Sequence, residues 1–230
     1  QISWDFNKRN FENDKSFHSF AAPNQRMEPK NRIAEKAEEL YMRFGIRSVS
    51  MENMAEALGM SKKTLYQYFA DKDELVVEVV KRHTDVVRQQ CEQIAQEAQD
   101  AIHEIFLIME RVMEDFRNMN PMVLFDLQKY HPMGFQRFNE YKNQFLLDFI
   151  RCNIQRGIRE GLYRDNIQLE IISRYRLQSM MIPFDINVYP PTQFNMAETA
   201  QLIAENFTYG LATVHGHQLI QDYQEKRKNK

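Results

Sequence analysis

The stretch GIRSVSMENMAEALGMSKKTLYQYFADKDEL, residues 45–75, holds three helix starts in about thirty residues. Ser50 stands before an apolar-periodic run carrying Met51, Met54, Ala55 and Leu58, where its hydroxyl can accept an orphan amide of the first turn. Gly59 ends that run, because glycine enters the left-handed conformation that a sharp exit needs. Ser61 then caps a second short helix through Tyr68. Asp71, followed three residues on by Glu74, has capping-box spacing and opens a long apolar-periodic run.

Two short helices joined by a tight glycine-containing turn form a helix-turn-helix, whose second helix fits the DNA major groove. Lys62 and Lys63 stand at the start of that helix; Thr64, Tyr66 and Gln67 add donors, and Leu65 and Phe69 anchor it inward. The pattern alone is also compatible with a small buried helical hairpin and a solvated basic turn. A first helix from about Pro29 to Phe44, apolar at Ile33, Ala37, Leu40, Tyr41 and Phe44, completes a three-helix module.

In order and without a gap, the Phe44-Gly45 helix end, the Ser50 cap, Met54-Ala55, Leu58-Gly59, SKKTLYQYF and Asp71-Lys72 resemble the DNA-binding domain of the TetR family of bacterial transcriptional regulators. The resemblance runs from about Arg32 to Val80. It implies that Ser50, Thr64, Tyr66 and Lys72 hold phosphates while Lys62, Lys63 and Gln67 face bases. Three departures stand out: Lys63 where the family commonly has Gly or Ala, Val49 and Ser50 where it has Thr, and Met54 where it has Ile. A bulky cation at Lys63 is expected to alter the bases read or add a phosphate contact.

The net charge of −2 offers nucleic acid no global attraction, so DNA affinity must come from a local patch of Arg47, Lys62, Lys63 and Lys72. Only Cys91 and Cys152 are present, far apart, which argues against a disulfide framework and suits a reducing cytoplasm. No run is apolar enough to span a bilayer. Residues 1–26 mix polar residues with isolated aromatics and lack a sustained period, so a poorly ordered tail is expected. The chain begins with Gln, and Met27 stands where proteins like the resembled family often begin, so the tail reads as non-native or, through Lys8, Arg9 and Lys15, as a DNA-tracking arm.

The fold class expected is all-α. A DNA-binding domain over residues 27–84 is joined by one long helix, from Asp71 to about Ala98, to a helical ligand-binding and dimerisation domain over residues 85–230. One rigid helix permits mechanical coupling between the two. The second region is rich in Met and Phe, and its apolar faces suit either plain core or the wall of a pocket for a lipophilic molecule. The candidate lining is Phe106, Met109, Met113, Phe125, Tyr130, Phe138, Tyr141, Phe145 and Tyr175, with His131 and Arg137 as further polar contacts. Helices are expected from Phe135 to Gly161, Gln168 to Ile182 and Met196 to His215, with Glu225–Lys230 a solvated basic end.

The resemblance implies a small-molecule effector and a homodimer through the last two long helices, taken as 168–182 and 196–215. Bound to a roughly palindromic operator in double-stranded DNA, such a dimer would act as a ligand-released repressor. A helical ligand-binding protein without DNA binding, or a small-molecule enzyme, is the alternative. No catalytic constellation, metal-ligand spacing or cofactor loop is visible: His103-Glu104 lacks a second His at the zincin spacing, and no Gly-rich phosphate loop is present.

Overall fold

The computed structural model describes residues 28–117 and 119–228, so the expected tail lies outside the described residues. Among those described, the elements are helical: α1 (Pro29–Phe44), α2 (Met51–Ala57), α3 (Lys62–Tyr68), α4 (Lys72–Glu97), α5 (Ala101–Phe116), α6 (Val123–Tyr130), α7 (Pro132–Tyr141), α8 (Leu147–Arg159), α9 (Leu169–Ser179), α10 (Met196–Leu211) and α11 (Val214–Lys228). A wide π-type turn, Lys142–Leu146, joins α7 to α8, and a 3₁₀ turn, Ile182–Phe184, follows α9.

The caps read from sequence form, with one change of partner. Asn53 N–H donates to Ser50 Oγ at 3.1 Å while Ser50 N–H donates to Asn53 Oδ1 at 3.0 Å, a reciprocal box at the start of α2. Thr64 N–H donates to Ser61 Oγ at 3.0 Å, and Glu74 N–H to Asp71 Oδ1 at 2.8 Å. Glu74 does not return its carboxylate to Asp71; it reaches one residue further and accepts from Ala70 N–H at 2.7 Å. Gly45 and Gly59 take φ of +84° and +65°, where a side chain would be strained.

Two apolar clusters hold the molecule together. The first gathers Ile33, Ala37 and Tyr41 of α1, Met54 of α2, Leu65 and Phe69 of the α3 segment, and Leu75, Val76 and Val79 of α4. Leu65 and Phe69 are wholly buried, each stabilising by about 2 kcal/mol. Val123 and Leu127 of α6 complete this cluster, with Phe135 and Phe138 of α7 against it, so a division at residue 84 separates the sequence but not the cores. Gly134 lets α7 come close to α4: a Cβ there would stand 2.9 Å from Leu127 and 3.0 Å from Val76.

The second cluster joins Ala101, Ile102 and Phe106 of α5, Leu147, Ile150 and Ile154 of α8, Leu177 of α9, Phe207 and Leu211 of α10, and Ile220 and Tyr223 of α11. Its polar hub is Arg156, which donates to Glu160 at 2.7 Å and to Glu104 at 3.2 Å and closes the end of α4 on Ala98 O at 2.9 Å.

Two expectations are corrected by the structure. The helix expected over 135–161 is divided by the π-type turn. The helix expected to reach His215 stops at Leu211, because Thr213 N–H donates to Leu162 O at 2.9 Å and Thr213 Oγ1 then accepts from Gly216 N–H at 3.1 Å, starting α11, a helix not expected from the sequence that runs on into the expected solvated end. The last two long helices are therefore α10 and α11.

Candidate nucleic-acid interface

The eight residues nominated for DNA stand on the turn after α1, at the cap of α2, on α3 and at the start of α4, and they are not equally available. Lys63, Tyr66 and Gln67 are exposed on α3, and Lys63 and Gln67 make no hydrogen bond or ion pair with a described residue. Lys62, also exposed, is held by Glu52 of α2, which raises the lysine's pKa and lowers the carboxylate's. Thr64 Oγ1 lies 2.8 Å from Ser61 Oγ. The Ser50 hydroxyl donates to Asn53 Oδ1 at 2.7 Å and is engaged in its cap.

Arg47 and Lys72 turn towards α6 instead. Arg47 Nη1 donates to Tyr130 OH at 3.2 Å, with its guanidinium 5.1 Å from that ring's centroid, and Arg47 N–H donates to Asp126 Oδ2 at 2.9 Å. Lys72 is half-buried 5.9 Å from the Tyr41 ring centroid; burial lowers its pKa, opposed by the charges of Asp126 and Asp73. Asn120 N–H donates to Met42 O at 2.6 Å, and His131 Nδ1 pairs with Asp73. The turn between α1 and α2 and the start of α4 are thus fastened to the second domain by polar groups.

Sequence reading missed Asp126, Glu52 and the Asp73–His131 pair. Asp126 had a signal: it shares a helical stripe with Val123 and Tyr130, and a carboxylate on an apolar stripe requires a donor.

The nine residues nominated for a pocket are placed in different surroundings. Phe138 packs on the first cluster, Tyr130 faces Arg47, and the Phe125 ring lies 5.2 Å from Lys129 Nζ. Met109 is buried in α5 and Met113 half-buried beside it. Tyr141 stacks on Phe145 at 5.5 Å, Arg88 covers the Phe145 ring at 4.6 Å, and the buried Tyr141 hydroxyl has no hydrogen-bond partner among the described residues. Phe106 lines a cavity of about 180 Å³ with His103 and Tyr223. Tyr175 lines a groove of about 690 Å³ between α9 and α10. Among the described residues, no three His, Cys, Asp or Glu side chains gather to hold a metal, and no helix is long and apolar enough to cross a membrane.

An exposed, capped second helix on a three-helix head, continued through one long helix into a helical second domain, is a helix-turn-helix architecture. Residues 33–79 match the family described as bacterial regulatory proteins, tetR family. An HTH-type transcriptional regulator of Staphylococcus aureus (strain USA300) is 32% identical over 83 residues, which are 36% of this chain and 43% of the relative. The chain therefore spans less than half the length of the curated relatives it matches. A transcriptional regulator from Saccharomonospora viridis in complex with choline shares the fold at a TM-score of 0.64 and 16% identity, over 80% of this chain and 97% of the other. FadR from Bacillus subtilis in complex with stearoyl-CoA does so at 0.62 and 15%, over 79% and 98%.

Proposed function

We propose that the protein is a dimeric DNA-binding transcription regulator of the repressor type, released from its operator by a lipophilic small molecule. The observation that carries the reading is the face of α3, where Lys63, Tyr66 and Gln67 stand exposed on a helix whose other side is locked by Leu65. Lys62, Lys63 and Gln67 read bases, while Ser50, Thr64 and Tyr66 lie against phosphates and Arg47 and Lys72, held towards α6 in the free protein, add positive charge beside them. Dimerisation uses α9 and α10, a reading supported by Ile171, Tyr175 and Leu202, which are 66%, 60% and 59% exposed there. The two reading helices then enter successive major grooves about 34 Å apart. The choline and stearoyl-CoA complexes of the two similar folds support a small-molecule effector in the second domain, without naming it.

The experiment is selection of duplexes from random DNA with the purified protein, followed by affinity measurements across salt. Tyr66→Phe and Lys72→Ala are expected to weaken all duplexes alike, whereas Lys62→Ala and Gln67→Ala shift the preferred sequence. Unchanged affinity and preference in all four variants refutes DNA reading by this face.

A further inference from the structure

Arg176 on α9 is 7% exposed, yet its guanidinium makes no hydrogen bond or ion pair with any described residue. Its neighbour is the Phe207 ring, whose centroid is 5.2 Å away. Two other arginines of this domain, about a quarter exposed, carry anions, although the Arg151 Nε is itself buried without a partner. Arg156 has Glu104, Glu160 and two backbone carbonyls, and Arg151 has Asp148 and Glu170. An enclosed guanidinium without an anion is costly, and burial pushes the Arg176 pKa down to about 10. The carboxylate that would relieve it is not supplied by the fold.

Phe207 also lines the α9–α10 groove, so Arg176 lies one side chain away from that space. The groove offers Ile172, Tyr175, Ile203 and Phe207 as apolar wall, with Arg164 and Asn206 as polar points and no Asp or Glu among its lining residues. Apolar walls with a cationic end and no carboxylate suit an anionic amphiphile. A second copy docked on the same helices would bring Ile171, Tyr175 and Leu202, which are apolar, and Glu170 is already shared by Arg151 and Arg174. Of the α10 carboxylates it would also bring, Glu205 is bound by Gln201 and Glu198 stands exposed in the first turn, so the second copy is the rival occupant that the test below has to separate.

We propose that the α9–α10 groove binds a small amphiphile with an apolar body and one anionic headgroup, carboxylate or phosphate, which enters beside Phe207 and pairs with Arg176. As the identity of the effector class, this rests on the regulator reading; as a binding site, it does not. Because the same two helices are the proposed dimer face, the bound molecule lies where it alters how two copies meet.

The test is calorimetry on the full chain with decanoate, decyl phosphate, decanol and decyltrimethylammonium, each below its micellar concentration. At least one of the two anions is expected to bind tenfold or more tighter than decanol, and the comparison between them identifies the headgroup; the cation does not bind. Arg176→Met is expected to reduce anion affinity to about that of decanol, a loss of roughly tenfold to a hundredfold, while leaving decanol unchanged. Arg176→Lys retains part of the preference. Ile203→Trp fills the groove away from the guanidinium and weakens every probe, so the site stays testable if Arg176→Met fails to fold. Equal binding of anions and decanol, an anion preference that survives Arg176→Met, no binding of any probe, or probes indifferent to Ile203→Trp overturns the proposal. So does an Arg176→Met protein that only dissociates into monomers with its probe affinities intact, since the anion would then belong to the second copy. Duplex affinity measured on the same sample separates the two readings: binding of DNA without probes leaves the regulator standing and removes the site, and the reverse removes the regulator alone.

Discussion

Replacing Asp126 by alanine tests whether α6 fastens the reading head. The carboxylate is 5% exposed and accepts the Arg47 amide at 2.9 Å, and its charge attracts half-buried Lys72. A hydrogen bond to a charged acceptor contributes about 1.5–3 kcal/mol, and relief of carboxylate desolvation offsets part of that, so a net loss of about 2 kcal/mol is expected. For a chain of this length each kcal/mol moves the melting temperature by about 2–4 °C, giving a fall of about 4–8 °C. Asp126→Asn keeps an acceptor and should lose less than about 1 kcal/mol. Thermal unfolding supplies the first readout. Hydrogen exchange supplies the second, because the Arg47 amide is donated to Asp126 and should exchange much faster in the alanine variant while the Leu75 amide, inside α4, stays protected. An alanine variant that melts within about 1 °C of the parent, with Arg47 still slow to exchange, refutes the clamp.

Three further outcomes are expected. Gly157→Ala places a Cβ 2.1 Å from the Tyr163 ring, which is fully enclosed, so denaturant unfolding should reveal a loss of about 1–3 kcal/mol or more; an unchanged midpoint contradicts the packing of that loop on α8. Glu52→Gln frees Lys62 and removes a negative charge beside it, so affinity for all duplexes should rise about two- to tenfold at low salt and converge with the parent at high salt; a fall would mean that Glu52 contacts DNA itself. At pH 8, iodoacetamide should label exposed Cys152 well before Cys91, which is buried and pushed up to about 11; equal rates in the folded protein contradict its enclosure.

The head was legible because its signals are local. A hydroxyl before an apolar run, a glycine after it and an aspartate before a longer run each satisfy backbone groups within four residues, and Ser50, Ser61 and Asp71 do so here. The second domain was legible as helices but not as a site. Periodicity marks an apolar face without naming what covers it, so Phe138 and Tyr175 looked alike in sequence, although one packs on the head and the other stands in an open groove. The same blindness hid the neighbours of Lys62 and Arg47: both belong to the basic patch, but their partners Glu52 and Tyr130 lie ten and 83 residues away. Arg176 did leave a trace, as the one cation in the Ile172–Arg176–Met180 stripe. The helix beyond Thr213 left little, because its start depends on Leu162 across the domain.

The wide turn at Lys142–Leu146 makes α7 and α8 one rod with a fault in its phase. Each extra residue in a helix rotates the remainder of the rod by about 100°, so the apolar stripe before the fault and the one after it point at different neighbours. Gly134, Phe135 and Phe138 use the first phase to grip α4 and the head, whereas Leu147, Ile150 and Ile154 use the second to seat among α5 and α9. A rod of uniform pitch would have to choose between those two allegiances. The protein therefore keeps its two cores in step through a dislocation one residue wide, and deleting or inserting a residue there would re-aim the head without any change in α3.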